Sequence, residues 1–338
     1  MKIALTFNVK KGVPSLVPEK QEDTEFDLPL TTNLIKKAIE GLGHSVTMVE
    51  ADLDAFDKLR KLKGSIDIVF NIAEGLGGDA RESQIPIFCE MLEIPYTHST
   101  PTVHAACLNK SMTKKILKAD DVRVPDWEVI DSFKEISGIK LNFPLILKPN
   151  KEGSSKGVYN KNVVDNKKDL EVRAKFMIKN FGATLVEEYI DGREFTVALL
   201  GKTPRVLPII EQKFDFLPKG YKKIAGYELK WFFEDKLKRL EDAYSCPAHL
   251  TPKEKRLIEG TSLTIFDFLN VRDAARIDYR MDKSGKLFFL EVNTLPGLNF
   301  DPNVTSYFPL AARVAGLTPE DVVNEILTSA MSRFGLQK

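Results

Sequence analysis

Arg276-Ile277-Asp278 and, further on, Glu291-Val292-Asn293 enclose the polar cluster Asp282-Lys283-Ser284-Gly285. A short polar cluster with glycine between two apolar runs reads as a hairpin turn. Such a turn sets Glu291 roughly opposite Arg276. Side chains alternate faces along a strand, so Arg276, Asp278, Glu291 and Asn293 share one face. Ile277, Tyr279, Leu290 and Val292 form the other face, which is expected to be buried. Two carboxylates and an amide oxygen on adjacent strands suit Mg²⁺, which takes one or two carboxylates and completes its shell with water and phosphate oxygens. The guanidinium suits an anion or a transferring phosphoryl group. The same four residues would also serve as a solvated face with a surface ion pair. The rigid turn Asn293-Thr294-Leu295-Pro296-Gly297 at the strand end favours a site.

The bulk properties exclude several classes. The chain has 338 residues, enough for two or three domains with substantial cores. Lys plus Arg number 49 against 48 Asp plus Glu, so no global field points to nucleic acid or a membrane surface. The first residues read as a strand that turns polar too soon for a signal peptide, and no apolar run approaches transmembrane length. Cys89, Cys107 and Cys246 are scattered, without CxxC spacing, as in a reduced cytoplasmic protein.

Outward from the hairpin, residues 1–100 alternate short apolar strands with amphipathic helices, the pattern of a parallel sheet covered by helices. Strands are expected at Ile3–Phe7, Ser45–Val49 and Ile66–Asn71. A helix is expected from Thr31 to Leu42, capped by Thr31 or Thr32. The third strand runs into Glu74-Gly75-Leu76-Gly77-Gly78-Asp79, and ligands in such sheets bind at the carboxyl ends of strands; a flexible glycine turn fits this loop as well. A linker at Thr97–Val103 and one helix from about Thr102 to Ala119 follow. Phe143–Pro149 reads as a strand ended by its proline, Leu170–Asn180 as a helix, Thr184–Tyr189 and Phe195–Leu200 as strands. Residues 211–252 form a long polar and aromatic excursion, the signature of a lid or a disordered segment. Pro252–Leu269 is a helix, and Pro309–Ala315 and Pro319–Arg333 are closing helices.

Two further constellations suggest a nucleotide. Gly153-Ser154-Ser155-Lys156-Gly157 follows a strand that ends in Lys148. Backbone N–H groups and hydroxyls of such a loop suit phosphate oxygens, and Lys148 adds a point charge. The spacing is not that of a Walker A loop. Glu187-Glu188-Tyr189-Ile190 and Gly192-Arg193-Glu194 put carboxylates at both ends of a tight connection. Backbone groups near Ile190 suit an adenine edge and a carboxylate suits ribose hydroxyls, although an exposed acidic turn reads the same way. His44, His98, His104 and His249 have no Ser or Cys partner in a nucleophile motif.

Lys148 with its Gly-Ser-Ser loop, the Glu187 to Glu194 turn and the Arg276 to Gly297 segment together resemble the ATP-grasp ligases, in particular the D-alanine–D-alanine ligase group. Glu90–Thr97, Leu108–Lys114 and Cys246-Pro247-Ala248 resemble it too. The resemblance implies an α/β ATP-grasp fold of three lobes: a Rossmann-like N-terminal domain (1–105), a central lobe (106–192) and a C-terminal lobe (193–338) that carries a lid (211–252) and the metal hairpin. It implies ATP contacts at Lys110, Lys148, Ser155, Glu187, Ile190, Glu194 and Lys230, and two Mg²⁺, or Mn²⁺ in their place, on Asp278, Glu291 and Asn293. Arg276 and the Gly297 N–H would stabilise the acyl phosphate and tetrahedral intermediate, with Ser154 beside the first substrate. A carboxylate takes the γ-phosphate of ATP, an amine displaces phosphate, and no enzyme nucleophile is needed. Small amino-acid-like substrates and a homodimer follow from the same resemblance.

The departures all lie on the substrate side. Glu25 stands for the glutamate that binds the first amine, but Pro29 replaces a serine. Glu74-Gly75 stands where the group has His-Gly, and Trp231 where it has a tyrosine. Extra residues precede Ser306, the candidate contact for the second substrate's carboxylate. The implied activity is an ATP-dependent carboxylate–amine ligase with an altered first-substrate pocket. Its alternatives are the D-alanine–D-alanine ligase of peptidoglycan synthesis and a catalytically silent nucleotide-binding protein.

Overall fold

The computed structural model describes residues 1–336 apart from 14, 22, 235, 236 and 238–241. Among these residues the strands form three sheets. The first is parallel and has the order β2-β1-β3, from β1 (Lys2–Phe7), β2 (Ser45–Glu50) and β3 (Ile68–Asn71). It is covered by α1 (Pro29–Gly41), α2 (Ala55–Leu62) and α3 (Gln84–Leu92). Ile3, Ala4 and Leu5 are buried in succession, as a strand covered on both faces requires. Helix α1 starts at Pro29 rather than at the expected Thr31 or Thr32, because proline at the first position is preset for the helix. Thr32 sits inside the first turn and donates to the Pro29 carbonyl.

The single helix expected over 102–119 is two: α4 (Pro101–Leu108) and α5 (Lys110–Lys118). Asn109 breaks the path in an extended conformation, and its side chain caps α5 by accepting from Met112 N–H. The Lys110 N–H is thereby diverted to the Asn150 carbonyl at 2.9 Å, next to the glycine–serine loop.

The second sheet has the order β4-β7-β5-β6, from β4 (Trp127–Ile130), β5 (Leu145–Pro149), β6 (Val163–Val164) and β7 (Thr184–Glu188), with α6 (Lys167–Phe181) packed on it. The third runs β11-β10-β8-β12-β13, with β9 on the side of β8. Its strands are β8 (Gly192–Leu200), β9 (Arg205–Val206), β10 (Ile210–Gln212), β11 (Tyr244–Ser245), β12 (Ala274–Asp282) and β13 (Leu287–Asn293). Helices α7 (Pro252–Phe268), α8 (Tyr307–Val314) and α9 (Pro319–Phe334) complete it. The excursion expected at 211–252 is rooted in the β10–β11 pair and carries a π-helical turn at Leu229–Phe233; residues 235, 236 and 238–241 of it lie outside the described residues.

One hydrophobic core joins β1, α1 and β3 to β8, α8 and α9. A buried polar knot reinforces that joint: Asp273 accepts from Arg333 Nη1 at 2.7 Å, Ser329 Oγ at 2.6 Å and the His98 N–H at 2.7 Å.

The hairpin is present with one correction of register. Asp278 faces Glu291 and Arg276 faces Asn293, so Glu291 is not opposite Arg276. A bulge after Asp278 leaves Leu290 as the extra residue, because Tyr279 already pairs with Phe289. Leu290 therefore lines a cleft instead of joining Ile277, Tyr279 and Val292 in the core. The turn is closed by Asp282 Oδ1, which accepts from the N–H groups of Ser284 and Lys286, with Gly285 at φ +81°.

Candidate active site

Because β8, β12 and β13 run side by side, their residues stack into rungs. Thr196, Asp278 and Glu291 form the central rung; Ala198, Arg276 and Asn293 lie on one side of it and Glu194 and Arg280 on the other. Thr196 Oγ1 donates to Asp278 Oδ1 at 2.7 Å, and Arg276 Nη2 to Asp278 Oδ2 at 3.1 Å. Lys110 Nζ, from the first turn of α5, lies 3.1 Å from Glu291 Oε2 and donates to the Glu152 carbonyl. Burial alone would raise the Glu291 pKa. The charges of Lys110, Lys148, Lys230 and Arg276 outweigh it and hold the carboxyl well below its usual range.

The wall opposite comes from the second sheet. Ile146 faces Glu187 across β5 and β7, so Lys148 reaches Glu187 diagonally on the same face. Lys148 Nζ lies 2.6 Å from Glu187 Oε1 and Lys114 Nζ 3.0 Å from Oε2, all three side chains being buried or nearly so. Burial raises the Glu187 pKa, and the two lysines outweigh it and lower it. Burial lowers the Lys230 pKa, with the neighbouring Arg276 charge acting in the same sense.

Lys110, Lys148, Ser155, Glu187, Ile190, Glu194, Lys230, Asp278 and Glu291 all line one cleft. Its apolar walls include Ile146, Val158, Ile224 and Leu290. Its free volume is about 70 Å³, against roughly 300 Å³ or more for small-molecule sites. Ser154 and Ser155 are consecutive left-handed residues, φ +46° and +57°, the kind of strain that gathers at functional sites. Ser155 Oγ donates to the Ala225 carbonyl in the 211–252 excursion.

The side expected to receive the first substrate is differently built. Glu25 is tied to Arg81, whose Nε donates to its Oε2 at 3.1 Å, and it accepts from the Gly153 N–H beside Ser154. Arg81 also faces Glu152 at 3.4 Å. Burial raises the Glu25 pKa against the pull of Arg81. Burial, then Glu82 and Glu25, push Glu74 up strongly, and burial pushes Asp27 up to about 7. Gly75 is required here: it sits at φ +82°, and a Cβ would fall 2.1 Å from the Arg81 carbonyl oxygen. Beside this cluster a groove of about 1090 Å³ runs past Glu25, Gly75, Arg81, Glu152 and Lys156. Trp231 stacks under Lys10, whose Nζ is 4.0 Å from the ring, and its Nε1 is buried without a partner. At the other end Ser306 Oγ donates to the Gly297 carbonyl at 3.2 Å.

The residues present fit the groups the resemblance implies. Among the described residues no cluster of three or more His, Cys, Asp and Glu forms a metal cage. Two facing carboxylates and an amide match Mg²⁺ that borrows phosphate oxygens. The Asn293 amide has its Nδ2 buried without a partner, and a half-turn presents Oδ1 instead. Arg276 Nε is likewise buried and unpaired, a donor left for an anion.

Sequence reading missed Arg280, Arg81, Lys114 and Thr196. Arg280 carried a signal, two residues past Asp278 on the same face; Arg81 carried none.

The family model described as D-ala D-ala ligase C-terminus matches residues 112–328. A D-alanine–D-alanine ligase of Aquifex aeolicus is 33% identical over 317 residues, covering 93% of this chain and 98% of that protein. One of Thermotoga petrophila is 34% identical over 298 residues, covering 88% and 90%. The Bacillus anthracis D-alanine–D-alanine ligase solved with ATP superimposes with a TM-score of 0.71 at 21% identity, over 98% of each chain. The chain has the ATP-grasp fold and is an ATP-dependent ligase that forms carbon–nitrogen bonds. It belongs to the D-alanine–D-alanine ligase family.

Proposed function

We propose that this ligase joins two amino acids through an acyl phosphate, with a first-substrate pocket that departs from the family pattern. The rung Thr196–Asp278–Glu291, ringed by Lys110, Lys148, Lys230 and Arg276, carries the reading. Excess positive charge around two carboxylates suits a triphosphate with its metal. In this reading Glu194 receives the ribose, and the base lies between Ile146, Ile190 and Leu290 with Glu187 fixing Lys148. Lys110, Lys148 and Lys230 hold the phosphates. The first substrate's carboxylate attacks the γ-phosphoryl group, and ADP leaves. The second substrate's amine then attacks the acyl carbon, and phosphate leaves. Arg276 and the Gly297 N–H neutralise the charge that develops on the acyl oxygens. Two Mg²⁺, or Mn²⁺, on Asp278, Glu291 and Asn293 supply further neutralisation of phosphate oxygens. Ser306, at the start of α8, receives the second carboxylate. The lobes 1–105, 106–192 and 193–338 are supported by the three sheets, which divide in nearly the same places.

Glu25, Asp27, Glu74, Glu82 and Glu152 outnumber Arg81 and Lys156, which pairs with Glu152 at 3.3 Å, in the first-substrate pocket. That balance favours an amino acid bearing more than one ammonium group. Phosphate release with ATP and Mg²⁺ across D- and L-amino acids, diamino acids included, tests it. Activity with D-alanine alone would replace it by the second reading, D-alanine–D-alanine ligase itself, which the named relatives favour. No release with any amino acid would sink both.

A further inference from the structure

Arg280 belongs neither to the phosphate cradle nor to the metal rung, yet it is among the most completely engaged side chains of the cleft. It is 3% exposed. A guanidinium has five N–H donors in a fixed fork, and here the fork is filled. Nε and Nη2 donate to Glu194 Oε2 at 3.0 and 2.6 Å. Nη1 donates to the Ile190 carbonyl at 3.0 Å and reaches the Tyr189 hydroxyl at 3.5 Å. Nη2 also donates to the Lys223 carbonyl. The plane lies near two rings, 5.2 Å from that of Tyr189 and 5.5 Å from that of Phe214. One side chain on β12 thus joins the β7–β8 connection, the start of β8 and two points of the 211–252 excursion.

Both bonds to Glu194 fall on the same oxygen, Oε2. A carboxylate held by one oxygen has a set orientation and a second oxygen to offer. We propose that Arg280 is a positioning residue for the nucleotide: it aims Glu194 Oε1 at a ribose hydroxyl and locks the Ile190 turn and the Lys223 lid stretch around that sugar. This rests on the reading of Glu194 as the ribose contact and adds how that contact is set. Lysine cannot take the role, because a point charge with three donors cannot reproduce five bonds to four acceptors set around a planar fork.

The test compares ATP with 2′-deoxy-ATP and 3′-deoxy-ATP in the full-length enzyme. A hydrogen bond to a charged group predicts that the wild type prefers ATP over one of the deoxy analogues by about tenfold or more in kcat/KM. In Arg280→Met and Arg280→Lys the preference falls to near one. KM for ATP rises about tenfold with kcat much less affected, and KM for the amino acids stays unchanged. Glu194→Gln gives the same loss, and adding it to Arg280→Lys costs no more, as expected of two residues acting as one unit. Arg280→Lys preserves charge and bulk and carries the test where Arg280→Met does not fold. Variants that keep both the ATP KM and the hydroxyl preference overturn the proposal. A wild type that turns over ATP without any hydroxyl preference overturns the reading of Glu194 itself, and the role of Arg280 with it.

Discussion

The same residue type behaves in opposite ways at the two ends of the site. On the hairpin, the partly buried Glu291 is held below the usual carboxylate range. In the acidic cluster around Arg81, Glu25, Asp27 and Glu74 are pushed above it. Burial acts in the same direction on all of them. The difference is the count of counter-charges: Lys110, Lys148, Lys230 and Arg276 around the rung, but only Arg81, with Lys156 on Glu152, set against Glu25, Asp27, Glu74, Glu82 and Glu152. A region with surplus cations is built to receive an anion, and one with surplus carboxylates to receive a cation.

The strongest challenge to this contrast is to remove a cation from each side. Arg276→Met should lower kcat by about 10²–10³, as loss of a charged transition-state donor does, with the melting temperature little changed; steady-state kinetics and a thermal melt report both. Arg81→Met should act mainly on stability. Leaving Glu25 buried without its partner costs about 3–5 kcal/mol. Urea unfolding should find that cost at pH 8 and a smaller one at pH 5, because burial already favours the protonated form of Glu25. An equal loss at both pH values would refute the charge count.

Asp27 tests the same idea by titration. Its carboxyl ionises near 3.8 when unfolded and at about 7 when folded. Between those values the folded state binds the extra proton, so its contribution is favourable below pH 4 and is lost as pH rises through 7. Asp27→Asn should therefore stabilise the protein at pH 8 by about 2–4 kcal/mol and have no effect at pH 4. The smallest effect is local: Asn109→Ala should cost about 1 kcal/mol as a lost helix cap. It should also raise KM for ATP a few-fold, because the break at Asn109 places Lys110. A helix that ran unbroken through 109 would leave that KM as it is.

The elements were legible wherever local chemistry dominates. Alternation along β12 and β13 set the shared face of Arg276, Asp278, Glu291 and Asn293, and Asp282 with Gly285 set the turn. The expected helices opening at Pro252 and Pro319 are α7 and α9, and the structure adds a threonine capping box in front of each proline. The errors have equally local reasons. One bulged residue moved Leu290 to the cleft, and one asparagine split the helix at 109. A single residue changes the register of everything beyond it.

By itself, then, the amino-acid order determined which side chains share the hairpin face and where the glycine–serine loop stands. Those properties follow from periods of two and from turn residues, among positions close together along the chain. Only the tertiary structure decided the charge state of the carboxylates and the setting of Glu194. Glu25 meets Arg81 across 56 positions and Glu194 meets Arg280 across 86. A pKa depends on what folding brings within a few ångströms and on how much water it removes, and neither is written in any short stretch of chain.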